Sequence, residues 1–294
     1  MNFTGKRKIL FTIPAVIIII GIIAGIVMGF NLDIDFSGGT EITIDMGSNT
    51  ASNDEIKAAV EDACGHDVST VQKMDEGSKV LLRLTDYLKD DENKSIKDAF
   101  AEKYGLEDGS ISITSVSATI GNEMIGQSLL LCIITVILML AYITIRFEFK
   151  FGLCSVIALV HDVLIMITFY ILFRIPVNTS FIAAVLTIIG YSINATIVVF
   201  DRIREGLRSA TKKTDIDELT NHSITSTLTR SINTSITTLI TIVVIYVMRI
   251  ESLDDFTLPL MVGIVAGAYS SIFIAGPMWA LFKKGGKKKA VSAK

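Results

Sequence analysis

Cysteine is scarce in this chain, with only Cys64, Cys132 and Cys154 among 294 residues. Cys132 and Cys154 lie in long apolar runs and Cys64 in an acidic segment, so no disulfide framework is expected and all three read as small buried residues. Histidine is equally scarce, with three residues. His161 stands beside Asp162 in an apolar run, while His66 and His222 fall on opposite sides of the membrane that such runs would cross. A metal hydrolase needs more ligands than one His-Asp pair, so no metal centre is expected. No Ser-His-Asp set and no phosphate-binding glycine loop occurs. The sequence therefore points to no enzyme and no cofactor, and a nucleic-acid partner is not expected. Basic residues are short in one region. Between Asn31 and Ile120, 8 Lys and Arg face 19 Asp and Glu, a local net charge of −11 in a chain whose overall charge is −3.

What the chain has in abundance is apolar sequence. Half its residues are hydrophobic, which is unusual for a soluble domain of this length. The stretch Phe181–Glu205 organises the rest. Its first twenty residues are long and apolar enough to cross a bilayer as one helix. Gly190 and Asn194 lie four apart within it, on one helical face, where a neighbour can approach closely and find something polar to hold. Ahead of it, Lys6-Arg7-Lys8 precede an apolar run over Ile9–Phe30. That run exceeds the roughly 7–15 residues of a cleaved signal core, so it reads as a retained first span. Five further runs follow, near Met124–Ile145, Phe151–Phe173, Phe181–Phe200, Ser231–Met248 and Phe256–Phe282, making six spanning helices in all.

Residues 40–120 change period. Ile42, Ile44 and Met46 alternate with polar residues as in a half-buried strand. Asn53–Cys64 has helical spacing behind a Ser52 or Asn53 cap. Two strands, Val68–Met74 and Lys79–Thr85, flank a turn at 75–78. A second helix over Ser95–Tyr104 closes at Gly105, and a last strand covers 111–116. This βαββαβ order predicts a small ferredoxin-like domain. Its acidic residues read as solvated surface. Just before it, Gly38-Gly39 allow a fixed backbone bend at the membrane exit.

Loop charges orient the whole. Arg146 and Lys150, the stretch from Arg202 to Lys213, and Lys283 to Lys289 flank alternate loops, while the intervening loops carry only Arg174 and Arg249. By the positive-inside rule both termini are cytoplasmic and the acidic domain is outside. The expected organisation is a cytoplasmic N-terminus and first span over 1–30, an extracytoplasmic α+β domain over 31–122, a five-helix remainder over 123–282 and a basic cytoplasmic tail over 283–294. Residues 201–230 read as a cytoplasmic connection, with a surface amphipathic helix at Ile216, Leu219 and Ile224.

Inside the bundle, His161, Asp162, Asn194 and Arg230 are the polar groups that need an explanation. An ionisable group in a membrane helix is costly and marks a functional site by default. Asp162 reads equally as an ion-coupling group or as a helix tie to Arg230, and His161 could tie to Asn194; Arg230 reads as functional. Thr234, Thr237, Thr238 and Thr241 read as packing and interhelical hydrogen bonding. Gly263, Gly267 and Ser271 have the small-xxx-small spacing of a close helix contact, within the chain or with another subunit.

Several motifs together resemble one family. Asp35-Phe-Ser-Gly-Gly-Thr40, Arg146-Phe-Glu-Phe149, Ala158-Leu-Val-His-Asp162, Gly190-Tyr-Ser-Ile-Asn194 with Val199-Phe-Asp-Arg-Ile-Arg-Glu205, and Thr229-Arg-Ser-Ile-Asn-Thr-Ser235 are similar to SecF, of the SecD/SecF family. The resemblance covers nearly the whole chain. It implies half of an RND-type transporter: six helices and a small extracytoplasmic domain in the bacterial cytoplasmic membrane. SecD, the SecYEG translocon, exported polypeptide chains and membrane lipid would be the partners. The ion-motive force would promote protein export. Asp35, Gly38, Gly39, Gly190, Asp201, Arg202 and Arg204 then belong to the family motif, and Arg230, Asp162, His161 and Asn194 to ion coupling. Many relatives carry Asp where this chain has Ala195, which cannot titrate. The alternatives are an RND-like exporter half for lipids or small molecules, and a non-transporting scaffold subunit.

Overall fold

The computed structural model describes residues 2–47, 49, 51–74, 78–211, 214–248 and 251–292. The expected turn at 75–77, Lys212, Lys213 and Arg249 lie outside the described residues. The chain divides into two compact units, one of residues 1–31 with 129–294 and one of residues 32–128.

The unit of residues 32–128 is built on period-two sequence. A four-residue helix α2 (Ile34–Ser37) leads into β1 (Gly39–Asp45), α3 (Asn53–Cys64), β2 (Val68–Met74), β3 (Lys79–Leu84), α4 (Asp90–Tyr104) and β4 (Ile111–Val116). The sheet order is β2-β3-β1-β4, with every neighbouring pair antiparallel. This is the ferredoxin-like βαββαβ arrangement. Ile42, Ile44, Val80, Leu82 and Leu84 face Ile56, Val60, Ile96 and Phe100 in one buried core. Ser52 caps α3 as expected, accepting from the Glu55 N–H at 3.2 Å while Glu55 accepts from the Ser52 N–H at 2.9 Å. Gly65 and Gly105 close the two helices at positive φ. α4 starts at Asp90, five residues before the expected Ser95.

The Gly-Gly bend is confirmed as a close approach. Gly38 and Gly39 have φ of +74° and +121°. A Cβ on Gly38 would lie 2.8 Å from the Ala118 backbone, and one on Gly39 would lie 2.4 Å from the Leu84 carbonyl oxygen. Arg83 on β3 bridges Asp33 at 3.1 Å and Glu41 at 2.9 Å, tying the entry of α2 to the sheet. Burial holds the Asp33 carboxyl above its ordinary value, and the Arg83 guanidinium opposes that shift.

The other unit holds α1 (Arg7–Met28), α6 (Phe149–Leu172), α7 (Thr179–Arg208), α8 (Ile216–Val247), α9 (Glu251–Ser270) and α10 (Gly276–Ser292). α5 (Ala118–Arg146) belongs to it from residue 129 onward. A π-helical turn, Ser271–Ala275, joins α9 to α10. Among the described residues six helices are long and apolar enough to cross a membrane: α1, α5, α6, α7, α8 and the continuous stretch Leu253–Lys284. α6, α7 and that last stretch are the most buried, and Phe151 near the start of α6 packs with Phe200 and Trp279 near the far ends of the other two. α1 lies against α6 at Gly21, where a Cβ would meet the Thr168 hydroxyl at 2.0 Å.

Two expectations are corrected here. The 201–230 connection is largely helical, because α7 runs to Arg208 and α8 begins at Ile216. Ile216, Thr220, Ser223 and Ile224 are buried within the bundle, so the first half of α8 is a packed helix and not a surface one. Asp215 caps it, Asp217 pairs with Arg7 and Lys284, and Asn221 accepts the N–H groups of Phe3 and Thr4 at 2.9 and 3.0 Å. Second, Gly263 and Gly267 face their own chain. A Cβ on Gly263 would lie 2.4 Å from Ile188 and one on Gly267 would lie 3.1 Å from Ser192, so this stripe seats α9 on α7.

Candidate functional site

The polar groups of the bundle fall into two separate places. The first is buried. Asp162 on α6 is fully inaccessible. Its Oδ2 accepts from Ser192 Oγ on α7 at 2.5 Å and from Ser270 Oγ on α9 at 2.9 Å, and its Oδ1 lies 2.9 Å from His161 Nδ1. Three helices thus meet on one carboxylate. The close seating of Gly267 on Ser192 makes the meeting possible, since a larger residue would hold α9 away. His161 is itself buried and stacks on Tyr269 at 6.0 Å. The Tyr269 hydroxyl donates to the Leu10 carbonyl at 2.8 Å. Pro14 explains that acceptor: lacking an N–H, it leaves the carbonyl four residues earlier without an intrahelical donor.

The second place is a small cleft between α7 and α8. Asn194, Ala195, Arg230 and Thr234 line a cavity of about 80 Å³, and the Tyr191 hydroxyl bridges to Ser235 at 3.2 Å beside it. Arg230 and Asn194 are exposed on this unit, and Gly190 one turn away has open space where a Cβ would stand. Among the described residues neither the Arg230 guanidinium nor the Asn194 amide has a hydrogen-bond or ion-pair partner. The arrangement can hold an acidic group, because Arg230 offers a forked donor and Asn194 an amide at one opening.

The structure therefore brings Arg230 together with Asn194 and leaves Asp162 elsewhere. The ties considered between Asp162 and Arg230, and between His161 and Asn194, are both absent; Ser192, Ser270 and His161 hold Asp162 instead. The threonines of α8 bond to their own helix. Thr234 donates to the Arg230 carbonyl, Thr238 to Thr234 and Thr241 to Thr237, which corrects their assignment to interhelical bonding.

Known proteins similar to this chain agree with one another. The family described as Protein export membrane protein SecD/SecF, C-terminal, matches residues 95–285. The chain is 34% identical to protein translocase subunit SecF of Petrotoga mobilis, with 95% of this chain and 94% of that protein covered. It is 35% identical to SecF of Acidaminococcus fermentans over 94% of this chain and 95% of that protein. The chain belongs to the SecF family. It also spans 38% of the length of Bacillus subtilis SecDF, at 35% identity over 96% of this chain. The crystal structure of Thermus thermophilus SecDF, a translocon-associated membrane protein, superposes with a TM-score of 0.84 at 31% identity, covering 97% of this chain and 39% of that one. A SecF-like role in protein export, in a multi-pass membrane protein, follows from these matches and the six spans.

The SecF motifs now have places. Arg204 donates to the Arg146 carbonyl at 3.1 Å and its guanidinium lies 4.8 Å from the Phe147 ring, so the Asp-Arg-Ile-Arg-Glu motif grips the turn after α5. Asp201 pairs with Arg204 at 3.0 Å, and Arg202 pairs with Glu205 and Ser226. Asp35 sits in α2, ahead of the glycine bend. Sequence reasoning did not find Ser192, Ser270 and Tyr269. Ser192 lay inside a quoted motif, but no sequence signal paired α7 and α9 with Asp162.

Proposed function

We propose that this chain works with a SecD subunit beside the SecYEG channel in the bacterial cytoplasmic membrane, where an ion gradient drives the outward movement of exported polypeptides. Both termini are cytoplasmic and residues 31–122 extracytoplasmic; the alternation of basic loops supports that orientation. The carrying observation is the cleft at Asn194, Ala195 and Arg230. A guanidinium a few residues inside the cytoplasmic end of a spanning helix is costly in lipid unless it finds an acceptor, with insertion-scale values of about 2.5–3.5 kcal/mol at a helix centre. Among the described residues no carboxylate lies there, since Ala195 cannot titrate and Asp162 is occupied by His161, Ser192 and Ser270. The acceptor then comes from the partner, and SecD is the partner that the relatives' names supply. Membrane lipid bounds the remaining apolar surface. Asp162 and His161 either titrate in coupling or hold three helices in register, and Ser192→Ala with Ser270→Ala separates the two roles by changing the carboxylate's donors without removing it.

The decisive experiment is Arg230→Leu. Gradient-dependent stimulation of export of a secreted reporter, read with and without an ionophore, is expected to vanish while the protein stays inserted and bound to SecD. Full stimulation at normal protein level would make the arginine structural. Ala195→Asp is expected to be tolerated, because it adds an acceptor within the same cleft.

A further inference from the structure

A second cavity, of about 640 Å³, opens between α1, α6, α8 and α9. Ile13 and Ile17 of α1, Val243 of α8 and Val262 of α9 contribute to an almost wholly apolar wall. Two polar rings line it: Tyr269, whose hydroxyl is committed to the Leu10 carbonyl, and His161, which is 8% exposed. The His161 Nδ1 is committed to Asp162, and its Nε2 is buried with no hydrogen-bond partner among the described residues. A buried ring nitrogen left unpaired is costly, and more so where lipid replaces water.

The volume falls in the range of small-molecule pockets, about 300–1,000 Å³. Chemistry narrows the choice further. The wall selects an aliphatic body. Nε2 accepts when the imidazole proton sits on Nδ1 and donates when both nitrogens are protonated. A hydroxyl, being donor and acceptor, satisfies either form.

We propose that this cavity is a binding site for a bilayer-dissolved aliphatic alcohol, seated with its hydroxyl on His161 Nε2 and its chain along α1 and α9. The site is distinct from the Arg230 cleft and does not depend on the coupling reading.

The test uses the full chain in lipid nanodiscs and two photoactivatable probes. One is dodecanol with a diazirine at its far end; the other is its methyl ether. Crosslinks mapped by mass spectrometry are expected in the α1 and α9 peptides of the cavity, with the alcohol labelling roughly threefold to tenfold more than the ether. His161→Phe should equalise the two probes. Val265→Trp, at an exposed wall position that leaves the His161–Asp162 pair intact, should suppress labelling by both. Equal labelling by the two probes in the unaltered protein, a preference that survives His161→Phe, or labelling unchanged by Val265→Trp would each overturn the proposal and leave a groove filled by ordinary lipid.

Discussion

A methyl group at Gly39 would stand 2.4 Å from the Leu84 carbonyl oxygen, at a φ of +121°. Neither the backbone strain nor the clash can be relieved without moving β1 from β3, which pair along their length. Gly39→Ala should therefore lower the stability of the 32–128 unit by about 2 kcal/mol or more, while Gly47→Ala, with open space around it, should cost less. Thermal unfolding of the two variants, followed through the sheet signal, checks the order. Tyr269 gives a second residue-level case. Its hydroxyl serves the carbonyl that Pro14 leaves open, so Tyr269→Phe should cost about 0.6–1.7 kcal/mol. In a Pro14→Ala background the Leu10 carbonyl regains a helical donor, and the same substitution should cost less. A double-mutant cycle measures the difference, and equal costs in the two backgrounds would refute the pairing.

At the scale of elements, α4 is anchored at its start. Glu92 accepts from the Lys89 N–H at 2.7 Å and meets His66 Nε2 at 3.2 Å, while His66 Nδ1 meets Asp86 at 3.1 Å. The hydrogen bond to Glu92, followed by that to Asp86, holds the His66 imidazole above its ordinary 6.5. A raised histidine contributes stability that is fully present below 6.5 and is lost as pH rises through the folded value. Melting of the 32–128 unit should thus fall as pH rises from below 6.5 through the folded value, and His66→Gln should flatten that fall. NMR of the imidazole in Glu92→Gln should show its titration shifted down. The α7–α9 contact makes a different kind of prediction. Gly267→Leu would drive α9 off Ser192 and break the three-helix meeting at Asp162, so it should lower the amount of folded protein. Normal yield with loss of a partner alone would return this stripe to an intermolecular contact.

For the whole molecule the prediction is topological. Single cysteines introduced into a background free of native cysteine should react with an impermeant reagent from outside intact cells at residue 90 and not at residue 215. Labelling at 215 and not at 90 would invert the arrangement. What the sequence determined by itself was whatever repeats along the chain or depends on the backbone of one short stretch. Runs of apolar residues set six spans because lipid offers no hydrogen-bond partner, and only long helices satisfy every backbone group within themselves. Alternation at Ile42 and Ile44, the Ser52 cap and the glycine stops at Gly65 and Gly105 wrote out the sheet unit, because each is a local matter of side-chain direction or φ. The same locality misled over 201–230, where Ile216, Leu219 and Ile224 read as the face of a surface helix although that face packs within the bundle. The tertiary structure decided which polar groups share a site. Asp162 lies 30 residues from Ser192 and 108 from Ser270, and nothing in helical periodicity says which faces will meet across three helices. Arg230 met Asn194 where α8 lies along α7, while Asp162 was claimed by two serines because close packing at Gly263 and Gly267 seats α9 on α7. That choice depends on shape complementarity between distant segments, a quantity that exists only once the helices are packed.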